Sequence, residues 1–248
     1  SVVNLLMLES EEKIAAVVPV QEFAEDRFLF TATRGGIVKK TVLSAYKNIR
    51  RDGIRALRIQ EDDALIGAAI TDGSQHILLA TQTGMCVRFN EGEVRPVGRA
   101  STGVKGISLG SSDEVVDMVV VEKEAALLTI CENGYGKRSE TAEYPAIHRG
   151  GKGVIDIKTT DRNGGVVACL EVQEEDEVMI VSANGIVIRL PVAGISTIGR
   201  NTQGVRVINL DAGDHVIDIT RVVQNEDPND DDKEAGSNGQ EEVEQPPG

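Results

Sequence analysis

Three series of basic side chains recur along this sequence at a nearly constant interval, and bases repeated in that way suit one task above others, the holding of a polyanion. Four residues after the glycine of each turn-like dipeptide stands Lys39, Arg88, Arg138 or Arg189, with Lys40 and Lys137 beside two of them. A second series, Arg50 with Arg51, then Arg99, Arg149 and Arg200, precedes another recurring glycine. The third lies two residues past that glycine, at Arg55, Lys105 and Arg206, and is broken by Ile155. His148 and Lys152 belong to the third copy, Ile147-His148-Arg149-Gly150-Gly151-Lys152-Gly153. Where units are related by rotation, equivalent positions share a radius and a height, so three bases per unit predict a belt around one rim. A belt of this kind suits bent duplex DNA, whose phosphates fix position without revealing sequence. Bending a site of roughly 20–30 base pairs by 40–90° costs about 1–6 kcal/mol. About a dozen phosphate contacts, each worth about −0.9 in log–log salt slope, would offset that at modest salt. Glycines in Arg149–Gly153 would let backbone amides approach a phosphate closely. The plainer reading is that bases at loop tips keep a surface soluble, and on periodicity alone a protein-interaction propeller that ignores DNA stays open.

Catalysis finds no comparable support. His76, His148 and His215 are scattered, with no fixed relation to Cys or to paired carboxylates. No metal-ligand spacing, nucleophile elbow or phosphate-binding P-loop is present in the sequence. Asp62-Asp63 and Asp113-Glu114 read as solvated turn residues, and His148 as a surface residue or a weak phosphate contact.

The elements that position the bases follow from the glycines Gly53, Gly103, Gly153 and Gly204, which are separated by 50, 50 and 51 residues. That regularity means duplicated units. Each reads as four short strands; in the second these are Leu65–Thr71, His76–Thr81, Met85–Phe89 and Val104–Leu109. Arg34-Gly35, Thr83-Gly84, Asn133-Gly134 and Asn184-Gly185 are hairpin turns. The first strand recurs as Ile14–Val20, Leu65–Thr71, Val115–Val121 and Val166–Val172, and a fifth copy, Val216–Thr220, closes the folded part. The expected architecture is an all-β, propeller-like array of four-stranded blades. Its repeats run approximately 9–59, 60–109, 110–159 and 160–210, with flanking strands in 1–8 and 211–223. Val3-Asn4-Leu5 matches Ile208-Asn209-Leu210, which leads to the expectation that the sequence opens inside the last strand of a repeat and is a piece of a longer protein.

Composition narrows the partners. Of the formal charge of −14, the segment after Gln224 carries nine acids and one Lys, which leaves the folded part mildly acidic with 25 bases against 31 acids. Indiscriminate polyanion binding is thereby disfavoured, but a segregated basic stripe is not, because phosphates respond to local potential. Residues 224–248 are nearly devoid of apolar side chains and read as a disordered acidic tail, placed to compete with DNA for the belt. Aromatic residues make up 3% with no Trp, which argues against base-stacking platforms for single strands. No apolar run reaches membrane-spanning length, and Cys86, Cys131 and Cys169 read as buried reduced thiols.

Three strings carry a resemblance. Val38-Lys39-Lys40-Thr41, Asn133-Gly134-Tyr135-Gly136-Lys137-Arg138 and Gly199-Arg200-Asn201-Thr202-Gln203-Gly204-Val205 resemble the C-terminal domain of the bacterial DNA gyrase A protein over residues 1 to about 223. The resemblance implies a β-pinwheel, a propeller whose neighbouring blades exchange strands, with DNA wrapped on its basic edge in support of ATP-dependent negative supercoiling. It implies as partners duplex DNA, the rest of the gyrase A protein and the gyrase B protein, in a cytoplasmic, nucleoid-associated setting, with the isolated domain monomeric. ATP and Mg²⁺ would be used by other parts of the enzyme, so no cofactor is expected in these residues. Tyr46, Tyr135 and Tyr144 are not candidates for strand cleavage. The family has six repeats, whereas four are present here, and its signature box, Gln-(Arg/Lys)-Arg-Gly-Gly-(Arg/Lys)-Gly, belongs to an absent one. His148–Gly153 is a look-alike with Ile147 in place of the Gln, and the essential role of the box does not carry over to it. The corresponding domain of topoisomerase IV, which steers substrate choice, is the alternative within the same superfamily.

Overall fold

The computed structural model describes residues 14–48, 53–122 and 125–222. Arg50, Arg51, the expected flanking strand in 1–8 and the acidic tail lie outside the described residues. Fifteen strands are found: β1 (Phe28–Thr33), β2 (Ile37–Val42), β3 (Leu65–Thr71), β4 (His76–Thr81), β5 (Met85–Asn90), β6 (Val104–Lys105), β7 (Val115–Val121), β8 (Ala126–Cys131), β9 (Tyr135–Glu140), β10 (Val154–Ile155), β11 (Val166–Val172), β12 (Glu177–Ser182), β13 (Val187–Pro191), β14 (Val205–Arg206) and β15 (Val216–Val222).

They form four antiparallel sheets, ordered β3-β1-β2-β6, β10-β5-β4-β7, β11-β8-β9-β14 and β13-β12-β15. Four strands that follow one another in sequence therefore do not make one blade. The strand expected to open a repeat pairs backward, as β3 does with β1 and β7 with β4. The strand expected to close a repeat also pairs backward: β6 joins β2, β10 joins β5 and β14 joins β9. A blade is thus a central hairpin clasped on both sides by strands from downstream, and the structural unit is offset from the 50-residue repeat.

Two expected strands change accordingly. Ile14–Val20 is irregular rather than a strand, because its class pairs with the hairpin of the preceding unit and no described hairpin stands before it. Val104–Leu109 shrinks to two residues, since past Lys105 the chain leaves β2 and its amides bond the Gly36 carbonyl in the hairpin turn.

Apolar alternation on each hairpin buries a core between consecutive sheets. Phe30 and Val38 of the first sheet meet Ile77, Leu79, Val87 and Phe89 of the second. Leu78, Cys86 and Val119 meet Leu127, Tyr144 and Cys169 across the next gap. Leu128 and Ile130 meet Val178, Ile180 and Ile219 across the last. The inner strands β3, β7, β11 and β15 pack against one another in succession, so β6, β10 and β14 lie on the outer perimeter.

The recurring glycine has a steric cause. Gly153 adopts φ +79°, and a Cβ there would sit 2.0 Å from the Cys86 carbonyl oxygen. Gly103, at φ +101°, would place its Cβ 2.5 Å from the Val38 oxygen. Only glycine lets the exchanged strand lie flat on the blade that receives it. All three cysteines are free and buried, and burial lifts the Cys131 thiol to about 12.

Candidate nucleic-acid interface

In the first series of bases all members but Arg189 are turned away from solvent. Strand register makes Lys40, Arg88, Arg138 and Arg189 equivalent, each opposite the corresponding residue of its hairpin partner, namely Phe30, Leu78, Leu128 and Met179. Lys39 is one place out of step, because the first turn contains two glycines and Gly36, not Gly35, takes the positive φ. Lys40 Nζ donates to the Glu91 carbonyl at 2.8 Å, Arg88 Nη1 to the Thr141 carbonyl at 2.8 Å, and Arg138 Nε to the Ile195 carbonyl at 2.7 Å. Each acceptor lies in or just after the short 3-10 turn of the following unit. These three cations therefore clamp one blade to the next.

The expectation that Lys39, Lys40, Arg88 and Arg138 line a rim is corrected by this geometry: their cationic groups are spent on buried carbonyls. Lys39 Nζ donates to the carbonyls of Ala56 and Arg99. Burial, aided by the Arg99 charge, lowers its pKa to about 8. Lys137 is wholly buried and pairs with Asp156 at 3.3 Å. Asp156 also accepts from Tyr144 Oη at 2.6 Å and Thr129 Oγ1 at 2.8 Å. A second closed network surrounds Glu91, which accepts from Thr71 Oγ1 at 2.7 Å and the Gly73 amide at 2.9 Å beside the Lys40 ammonium. Buried charges require this degree of satisfaction. Arg189 alone of its series is exposed, and it pairs with Glu177 on its own hairpin.

The second series is half-buried and shapes the perimeter loops. Arg149 Nη1 donates to the Lys105 carbonyl at 2.9 Å, and Arg200 Nη1 to the Ile155 carbonyl at 2.7 Å. Glu93 accepts from the Arg149 amide and Glu143 from the Arg200 amide, both at 3.2 Å. Arg99 is likewise half-buried, and its carbonyl receives Lys39. His148 is almost entirely exposed, 3.3 Å from Glu93.

What remains exposed to meet a ligand is the third series with Lys152, although Arg206 Nη2 also donates to Tyr135 Oη at 2.6 Å. Lys105 and Arg206 occupy the same register, opposite Ile37 and Tyr135 on the perimeter strands β6 and β14. Arg55, Lys105, Lys152 and Arg206 are all exposed. Counting only the position two residues past the recurring glycine missed Arg58 and Lys158, exposed bases five residues past Gly53 and Gly153. Lys158 completes the series in the unit where Ile155 breaks it, a signal visible once two offsets are counted. Arg162 was missed as well; it lies 4.6 Å from the Tyr135 ring, which Arg206 also approaches at 4.9 Å. The hairpin turns carry acids beside them. Asp63, Asp113 and Asp214 accept the turn amides of Gly35, Thr83 and Asn184 at 2.7, 3.0 and 3.1 Å. Two of these acids had read as merely solvated; in place, they fasten each hairpin to the next strand.

The family described as DNA gyrase C-terminal domain, beta-propeller, matches residues 27–72, 75–122, 126–173 and 176–222, each range running from a central hairpin to the inner strand paired with it. The chain belongs to that family. The DNA gyrase A protein of Escherichia coli (strain K12) is 44% identical over 95% of this chain and 27% of its own length. Its Haemophilus influenzae counterpart is 42% identical over 89% of this chain and 28% of its own length. The chain thus spans little more than a quarter of the curated relatives it matches. Among solved structures, a DNA gyrase A C-terminal domain superposes with a TM-score of 0.80 at 25% identity, over 90% of this chain and 74% of that one. The C-terminal domain of DNA topoisomerase IV reaches 0.83 at 24% identity over 89% and 69%, a likeness of fold alone. In this member of the gyrase family, strand exchange between blades accounts for both the periodic glycine and the inward-turned cations.

Proposed function

We propose that this chain binds duplex DNA along the perimeter strands and bends it there, as a non-catalytic domain of a gyrase A protein that works with its other domains and with the gyrase B protein. The observation that carries the reading is the exposed set Arg55, Arg58, Lys105, Lys152, Lys158 and Arg206, which gives every perimeter segment a base beside a glycine-rich loop. Phosphates are the matching ligand, because these exposed cationic side chains stand at repeated positions along the perimeter. The half-buried arginines act one step back: Arg149 and Arg200 hold the loops that present Lys152 and the residues around Gln203. Cleavage and ATP hydrolysis are assigned to other parts of such an enzyme. Among the described residues no group of three or more His, Cys, Asp and Glu could hold a metal ion.

The test is fluorescence transfer between the ends of a duplex of about 40 base pairs, titrated with the full chain at low salt. Approach of the ends, reversed by salt, supports bending at the perimeter. Binding without approach of the ends would keep the DNA contact and remove the bend, whereas no binding at all would reject the reading.

A further inference from the structure

The third sheet carries a cluster of cations that the repeat pattern does not account for. On the perimeter, Ile37 stands opposite Lys105 in the first sheet and Met85 opposite Ile155 in the second, but Tyr135 stands opposite Arg206 in the third. Arg206 Nη2 donates to Tyr135 Oη at 2.6 Å. Arg162 reaches the same ring from the loop before β11, and the Arg162 and Arg206 guanidinium carbons lie 4.6 and 4.9 Å from its centroid. The Arg162 hydrogen bond to the hydroxyl is the first cause holding the Tyr135 phenol below its ordinary pKa, and the Arg206 charge adds to it. Two exposed guanidiniums therefore converge on one neutral oxygen. Among the described residues neither forms an ion pair with a carboxylate. Like charges so placed repel, and an electron-rich ring offsets only part of that. An anion held between them relieves the repulsion.

The backbone under this cluster is built differently from its counterparts. The loops before β3, β7 and β15 place Asp63, Asp113 and Asp214 on the hairpin-turn amides. Before β11 the connection is reversed, and Asn133 of the turn donates to the Asp161 and Arg162 carbonyls at 3.2 and 3.3 Å. Asn163, wholly buried, donates to the Lys158 carbonyl at 2.9 Å and to the Gln203 carbonyl at 3.2 Å. One side chain thus joins the Arg162 loop to the two perimeter segments that carry Lys158 and Arg206. Three bases stand on backbone that is fixed before a ligand arrives, which lowers the ordering cost of binding.

We propose that Arg162 and Arg206, set by Tyr135, form a two-guanidinium clamp for a single phosphodiester and so anchor duplex DNA at the third sheet, a step that rests on the duplex binding proposed for the perimeter. Arginine forks match phosphate oxygens with paired N–H donors, whereas Lys105 and Lys152 each offer an ammonium, a point charge. A phosphate contact fixes position without reading sequence. The clamp therefore decides where on the perimeter the duplex is held, not which duplex is held.

Alkaline titration of the full chain, read as tyrosinate absorbance beyond the DNA band, tests the clamp. Burial raises the pKa of Tyr46 and Tyr144, so the first phenol to ionise is Tyr135, and Tyr135→Phe should remove that first wave. A bound phosphodiester takes up guanidinium N–H groups and part of their charge, so a short duplex at low salt should move the wave to higher pH. Inorganic phosphate at the same phosphate concentration should leave it in place. Arg162→Gln should weaken duplex binding about tenfold at unchanged melting temperature, and Arg162→Lys should restore the salt slope with only part of the affinity. A duplex that binds without moving the wave, or that binds Arg162→Gln as tightly as the parent, would overturn the clamp and leave perimeter binding standing. An equal shift with inorganic phosphate would make this a site for free anions and overturn it too. Failure of the parent to bind any duplex would instead reject the perimeter reading, and the clamp with it.

Discussion

Arg138 and Arg189 occupy the same register in neighbouring blades and do opposite things. Arg138 is buried and holds the Ile195 carbonyl of the next unit, while Arg189 lies exposed beside Glu177 on its own hairpin. Lys40 and Arg88 side with Arg138. What separates the two behaviours is the neighbour: where a unit follows, its 3-10 turn brings buried carbonyls that need a donor, and the base supplies one. Among the described blades, a repeated cation is therefore part of the scaffold where a further described unit packs on it and a surface group at Arg189, where none does.

The comparison can be broken by substitution, and the largest effect belongs to the buried pair. Lys137→Met leaves the Asp156 carboxylate buried without its cation and should cost about 3–5 kcal/mol, read as a lowered urea midpoint. Pairing it with Asp156→Asn should recover part of that loss. Next come the glycines, whose roles differ by the same rule. Gly153→Ala forces a Cβ against the Cys86 carbonyl and should rank among the most destabilising single changes. Gly53→Ala meets no described atom and should cost only the left-handed backbone term, about 1–2 kcal/mol. Arg138→Ala strands a buried carbonyl and should lose about 1–3 kcal/mol, whereas Arg189→Ala, losing only a surface ion pair, should stay within about 1 kcal/mol of the parent. Equal losses at Arg138 and Arg189 would dissolve the distinction.

The smallest effect is a pH dependence on the inner strands. Asp117 accepts the Met118 and Cys169 amides at 2.9 and 3.1 Å. Burial first, with a smaller contribution from Asp218, raises its pKa from 3.8 to about 6. The folded state then binds a proton that the unfolded state lacks between those values, so this group favours folding more as pH falls from 6 toward 4. The parent should gain on the order of 1 kcal/mol relative to Asp117→Asn over that span, and parallel pH profiles would show that Asp117 does not titrate there.

Much of this architecture was legible in the sequence, because glycine spacing and hairpin dipeptides are local signals. Strand positions such as Leu65–Thr71, Val115–Val121 and Val166–Val172 follow from them without loss. Strand partnership did not, since nothing local in Leu65–Thr71 says that it pairs backward with Phe28–Thr33. That same non-local fact hid the roles of Lys40, Arg88 and Arg138, whose acceptors lie 51 to 57 residues downstream. Burial of a charge cannot be read from a periodic pattern when the carbonyl that buries it belongs to the next unit. Exposure at Arg55, Lys105 and Arg206 was better served, because their offset from the recurring glycine is itself a local signal.

The most direct test of the division between structural and ligand-facing cations is the salt dependence of duplex binding by Arg55→Gln, Lys105→Gln, Lys152→Gln and Arg206→Gln combined, at unchanged melting temperature. Four lost phosphate contacts at about 0.9 each should flatten the log–log slope by roughly 3 to 4, while Arg189→Gln should change it by no more than about 1. An unaltered slope in the fourfold variant would contradict the account and return the search for the DNA contact to another face.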